Sequence, residues 1–355
     1  MNTVFIPQVE DFQTEINGKK TTLLSLKNNA GMEVFITNYG ARIVGILVPD
    51  RHGNLLDVNI GHASIQEYTC QKANYYGAVI ARNCGRIRDA KFTLDGKEFL
   101  MKPNNGATFL HGGENAFHTQ VYEIESQTPT SVMLSYFSKD GEEGFPGNLT
   151  FKVYYTLTEE NALEIKFEAV ADQKTPFNVT HHAYFNLDGE GNGDILNQEL
   201  QVFTEEYLQI KEDILPTGVF VPVVDTPFDF RNSKKIGKDI DAEDEQIQYG
   251  SGYDHTFVLS RVFDGKIRHA AKAKSEASGV VMDVYTDQPG VHLYTGNFME
   301  EEFTLKNKEK DKRRAAFCLE TQHLADALNK PNFPSIILSP KEKFTTTTIY
   351  KFSVE

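Results

Sequence analysis

The strongest constraint on the fold is a two-residue period. In Leu163-Glu164-Ile165-Lys166-Phe167-Glu168-Ala169 apolar and charged residues alternate strictly, and Leu149, Phe151, Val153, Tyr155 and Leu157 alternate just before them. Successive side chains of a strand point to opposite faces, so the pattern predicts two half-buried strands, each with one wet face. Thr158-Glu159-Glu160-Asn161 between them predicts a hairpin loop. Phe92-Thr93-Leu94 and Lys97-Glu98-Phe99-Leu100 flank Asp95-Gly96, a dipeptide suited to a tight hairpin turn. Further turn signals stand at His52-Gly53-Asn54, Asp140-Gly141 and Asp264-Gly265, and residues 344–354 are rich in Thr and aromatic side chains with β propensity. Helical signals are few; the best is at residues 63–68, where Ser64 and Glu67 have capping-box spacing. No fixed-period repeat or low-complexity linker divides the chain, and the charged stretches 234–245 and 300–314 read as solvated loops. The expectation is an all-β chain, a large antiparallel β-sandwich with few short helices, in which residues 1–355 form a single domain.

A chain of 355 residues can bury a large core. Its formal charge of −14 argues against nucleic acid, which needs Lys and Arg clustered on one face, and mildly against anionic substrates. Cys70, Cys84 and Cys318 are widely spaced, odd in number and form no CxxC or Cys/His run of the kind that binds zinc. The opening MNTVFIPQVEDF lacks a basic segment followed by an apolar one, and no apolar run approaches membrane-spanning length. A cytoplasmic protein that engages neither membrane nor nucleic acid is expected, and the Asn-x-Thr sites at Asn148 and Asn178 are chance matches.

Several residues could carry chemistry. Glu320 follows an apolar stretch in Phe317-Cys318-Leu319-Glu320-Thr321-Gln322-His323, where a carboxylate is expensive to bury unless it is paired or used. Alone, it reads more readily as a salt-bridged structural carboxylate. His182, in Thr180-His181-His182-Ala183-Tyr184-Phe185-Asn186, is either a core histidine or a proton-transfer group. Strand alternation lets only one of His181 and His182 face a given site, so this pair does not clamp a metal. His111 precedes Gly112-Gly113, which allow a sharp turn or a close backbone approach. Arg82, Arg86 and Arg88 share one strand parity and could bind an anion or a sugar hydroxyl, or be structural. Asp254-His255 is a weak signal by itself.

Taken in order, these segments resemble the aldose 1-epimerase (galactose mutarotase) family. The resemblance runs through Asn38-Tyr39-Gly40-Ala41, Gly77-Ala78-Val79-Ile80-Ala81-Arg82 to Arg86-Ile87, Leu110-His111-Gly112-Gly113, Asn178 to Leu187, Leu215-Pro216-Thr217-Gly218 and Thr226-Pro227-Phe228-Asp229. It continues through Tyr253-Asp254-His255, Gln288-Pro289-Gly290-Val291, Tyr294-Thr295-Gly296-Asn297-Phe298 and Cys318-Leu319-Glu320-Thr321-Gln322. Each motif is short; their joint order spans most of the chain.

The resemblance implies a β-sandwich with a sugar cleft. It also implies interconversion of the α and β anomers of a free aldose such as glucose or galactose, with no cofactor or metal, by a monomer or homodimer. Glu320 would be the general base at the anomeric hydroxyl and His182 the general acid at the ring oxygen, while Arg86, His111 and Asp254 would contact sugar hydroxyls. The chain departs from the family's usual pattern at Gly85 (usually Asn), His181 (Asn), His292 (Gln), Ala116 and His118 (Gly and Asp of Gly-Phe-Asp) and Tyr122 (Trp). His292 would then lie among the substrate-binding residues and add a titrating group, and sugar preference would be altered or relaxed. A hexose-6-phosphate epimerase would need basic residues at the far end of the cleft, with Arg82 and Arg88 the nearby candidates. A non-catalytic sugar-binding relative would be expected to have lost Glu320 or His182, and both are present.

Overall fold

The computed structural model describes residues 4–70 and 75–355. Strands dominate, with two short α-helices among the described residues. One layer is a nine-stranded sheet. Its centre is the predicted pair Leu149–Leu157 and Ala162–Ala171, in register from Leu149↔Ala171 to Leu157↔Leu163, followed by Lys343–Val354 and Val280–Thr286. Leu149, Phe151, Val153, Tyr155 and Leu157 are buried, as the alternation requires. The second layer holds a four-stranded sheet, Leu23–Lys27 to Leu55–Asp57, and a five-stranded sheet. The latter runs Pro216–Pro222, Glu206–Ile210, Asp254–Val258, Gly290–Tyr294, Cys318–Gln322. One apolar core joins the layers, with Phe151, Phe167 and Met282 from one side and Ile43, Val291 and Leu319 from the other. Across it Tyr155 Oη donates to Ala41 O, and the Thr321 and Thr348 hydroxyls pair.

Local signals are where the residues put them. Asp95 and Gly96 take positive φ (49° and 79°) in the turn between Lys91–Leu94 and Lys97–Leu100. Ser64 and Glu67 form a capping box on the helix Ile65–Thr69. All three cysteines are free thiols, and no helix of the described residues is long and apolar enough to cross a membrane.

The two charged stretches are solvated loops only in part. Residues 234–245 begin with an edge strand of the nine-stranded sheet, bury Ile236 and Ile240, and lead into the helix Glu245–Gly250, capped by Asp244. In residues 300–314, Lys306 is 1% exposed. Its Nζ donates to Val44 O (2.6 Å) and Asn59 O (2.8 Å) and pairs with Asp57 (3.1 Å) and Glu190 (3.0 Å). Arg314 makes two bonds to Asp241, and buried Asp311 accepts from Tyr76 Oη and Phe303 N. The side-chain partners Asp57, Glu190, Asp241 and Tyr76 lie far away in sequence, so local charge density carried no trace of them.

Candidate active site

The outward face of the five-stranded sheet is a floor on which alternation sorts the side chains. From Cys318–Gln322, Leu319 enters the core and Thr321 meets Thr348 across it, while Glu320 and Gln322 line a cavity of about 520 Å³. From Gly290–Tyr294, His292 and Tyr294 line it; from Asp254–Val258, Asp254 and Thr256 do. His292 lies directly across from Glu320 on one side and Thr256 on the other. His255, one residue out of phase, turns instead into the aromatic core beside Phe228 and Tyr207.

His182 comes from a separate piece of sheet. Thr180–His182 pairs with Ala78–Ile80, and the alternation expected of the double histidine holds. His181 packs edge-on to Tyr155 in the interior, and His182 enters the cavity. The His182 ring lies nearly parallel to Tyr184 (centroids 4.8 Å apart) and Tyr75 (5.9 Å), with His111 edge-on at 5.2 Å. Its Nε2 is 3.5 Å from Glu320 Oε1, and Cys318 Sγ is 3.5 Å from its Nδ1. Burial lowers the His182 pKa below the ordinary histidine value, against the partial restoring effect of the Glu320 charge. Glu320 is 3% exposed, and its Oε2 has no hydrogen-bond partner among the described residues.

His111 sits at positive φ (51°), followed by Gly112 (83°) and Gly113 (104°). A Cβ on Gly112 would fall 2.2 Å from Ala81 O, so the turn closes against the neighbouring strand only with glycine there. The Gly85 N–H donates to His111 Nδ1 (3.3 Å), which leaves the proton of the neutral ring on Nε2. Burial, then the nearby His182 and Arg86, holds the His111 pKa well below its ordinary value. Arg86 lines the cavity with its Nε on Asn105 Oδ1.

Asp254 and His292 form a pair, His292 Nε2 to Asp254 Oδ1 at 2.7 Å, with His292 Nδ1 on Thr256 Oγ1 at 3.0 Å. Burial works against charge on both. The shared hydrogen bond and attraction prevail, so the Asp254 pKa is lowered and the His292 pKa raised. The pair therefore favours a carboxylate beside an imidazolium.

All six residues singled out from sequence (Arg86, His111, His182, Asp254, His292 and Glu320) line this one cavity. Arg82 and Arg88 do not, and the shared-parity expectation for the three arginines fails. The strands end at Ile80 and resume at Arg86, so no continuous strand carries them. Arg82 is buried and structural, bonded to Ser138, Lys139 O and Pro146 O; Arg88 lies by Asp326. Tyr75, Asn105, Phe298 and Phe303 also line the cavity without having been foreseen. So do Thr256, Gln322, Tyr184 and Tyr294, and each of these stands two residues from one that was singled out. For Thr256, Gln322 and Tyr294, which share a strand with that neighbour, the two-residue period was the signal.

His111, His182 and Glu320 offer donor atoms within 4.8 Å of one another, the composition of a metal site. Because His111 Nδ1 accepts from a backbone N–H, its Nε2 presents a proton rather than a lone pair. The trio is therefore built to donate and accept protons.

With this geometry in view, the family model for aldose 1-epimerase matches residues 22–351. A galactose mutarotase from Rattus norvegicus is 40% identical over 91% of this chain and 92% of its own. An aldose 1-epimerase from Escherichia coli (strain K12) is 36% identical over 96% and 97%. The crystal structure of an aldose epimerase homologue from C. elegans superposes with a TM-score of 0.86 at 29% identity, covering 94% of this chain and 99% of that one.

Proposed function

This chain belongs to the aldose 1-epimerase family, and we propose that Glu320 and His182 are the base and acid with which it works. It is a carbohydrate isomerase that interconverts α and β anomers of aldoses. One observation carries the assignment. The anomeric hydroxyl and the ring oxygen are bonded to the same carbon, so an acid and a base serving both must stand a few ångströms apart. His182 Nε2 and Glu320 Oε1 are 3.5 Å apart in a cavity wall, and Glu320 Oε2 has no donor among the described residues.

The anomeric hydroxyl gives its proton to Glu320 as His182 Nε2–H protonates the ring oxygen. The bond between C1 and the ring oxygen breaks, leaving a neutral aldehyde. Rotation about C1–C2 presents the other carbonyl face, and the reverse transfers close the ring as the other anomer. Each positioned group contributes about 10²–10⁴-fold. Asp254 accepts from a hydroxyl near C2, held by His292, while Arg86 and His111 Nε2–H donate to others; charged partners strengthen these bonds.

The rat relative is named for galactose. The residues around this cavity suit an uncharged hexose, glucose or galactose, since Arg86 is the only Lys or Arg among the described lining residues. Against it stand Glu212, Asp213, Glu300, Glu302 and Asp311.

Polarimetry of freshly dissolved α-D-glucose and α-D-galactose tests the proposal. The wild type should hasten decay to the equilibrium rotation. Glu320→Gln, nearly isosteric and folded by circular dichroism, should lose about 10²–10⁴-fold. Full activity in that variant would sink the assignment of Glu320.

A further inference from the structure

We propose that Cys318 is a positioning residue for His182, its sulfur accepting the Nδ1–H so that Nε2 is the atom at which the proton is given and retaken. This rests on reading His182 as the acid. Cys318 and Glu320 are two residues apart on one strand and so project to the same side. That strand therefore engages both nitrogens of one imidazole, Sγ at Nδ1 and Oε1 at Nε2, each at 3.5 Å. Cys318 is fully buried, and burial followed by the Glu320 charge keeps it a neutral thiol.

The proton balance of the cycle requires such a partner. The form of His182 that gives its proton at ring opening is the imidazolium, protonated on both nitrogens, which burial disfavours and the Glu320 charge partly restores. It loses the Nε2 proton to the ring oxygen, remains neutral with Nδ1–H, and regains the Nε2 proton on closure. Nδ1 keeps its proton throughout and is buried throughout, so it needs one constant acceptor. A carboxylate there would hold the imidazolium charge and weaken it as an acid. A thiol is a weak, neutral acceptor, which orients the ring and leaves burial to set its acidity.

Cys318→Ala and Cys318→Ser test this, because both remove about the same volume while only serine retains an acceptor. Alanine removes the sulfur acceptor from Nδ1–H, which should lower kcat roughly tenfold with KM within about twofold. Serine should keep kcat within about threefold of wild type. Equal kcat in the two variants, whether both normal or both reduced, would overturn the proposal and reduce Cys318 to packing. His182→Asn, measured alongside, separates the premise: full turnover in that variant would defeat the acid assignment itself, whatever Cys318 does.

Discussion

Lys306→Met probes how residues 300–314 are held. The lysine is buried between two carboxylates, Asp57 at 3.1 Å and Glu190 at 3.0 Å, and also donates to two backbone carbonyls. Breaking a buried pair by removing one partner costs about 3–5 kcal/mol, because the other charge stays buried and unpaired. Unfolding entropy of about 2.1 cal/mol/K per residue gives roughly 0.75 kcal/mol/K for 355 residues, so the midpoint should fall about 4–7 °C. The pH dependence has a definite sign. Burial already pushes the Asp57 and Glu190 carboxyls above their ordinary range, and losing the lysine pushes them further. A carboxyl whose folded pKa is raised binds its proton more readily folded than unfolded, so it contributes stability at low pH that is lost as pH rises through the folded value. The variant's deficit should therefore be smaller at pH 5 than at pH 8 in thermal unfolding followed by circular dichroism. The segment also brings Phe303 and Asp311 to the cavity, so KM in polarimetry should rise more than kcat falls. A midpoint within about 1 °C of wild type at pH 8, or a deficit that grows on acidification, would refute the reasoning.

His292→Gln removes the titrating partner of Asp254. Because the His292 pKa is raised, wild-type KM should climb as pH passes upward beyond the ordinary histidine range and the charge is lost, whereas the variant's KM should stay flat; matching KM–pH curves, measured by polarimetry, would rule this out. Glucose 6-phosphate should show a KM at least about tenfold above that of glucose at low salt, with the gap narrowing as salt screens the acidic lining. Equal KM values would mean that the cavity tolerates a phosphate.

The half-buried strands were open to reading because one face of each is wet. Lys152, Lys166 and Glu168 mark that face, and the apolar residues between them mark the other. The Asp95-Gly96 hairpin and the Ser64 capping box were legible because each closes within a few residues. Lys306 was not, because its carboxylate partners are supplied by chain segments more than a hundred residues away and a run of charge looks alike whether solvated or paired. Arg82 and Arg88 misled for a related reason. Parity holds only along an unbroken strand, and the turn between Ile80 and Arg86 resets it. The site residues were found chiefly through short motifs in family order. No pattern of spacing could have joined His111, His182 and Glu320, which the fold brings together from three separate segments.

The five-stranded sheet explains why its chemistry is hidden from a pattern search and yet recoverable. Every residue of Asp254–Val258 and Cys318–Gln322 is buried, because one face meets the core and the other the cleft. Alternation of wet and dry therefore vanishes, and the remaining signal is a carboxylate in a strand with no wet face. Two such carboxylates stand on this sheet, and their surroundings divide the work. Asp254 is bonded to His292 through Oδ1 and its pKa is depressed, so it is a poor base and a good anchor for a hydroxyl. Glu320 faces the His182 imidazole with one oxygen, and the other has no donor among the described residues. If the division is correct, Asp254→Asn should raise KM more than it lowers kcat, and Glu320→Gln should do the reverse. Interchanged effects in steady-state polarimetry would mean that Asp254 is the base and Glu320 the anchor.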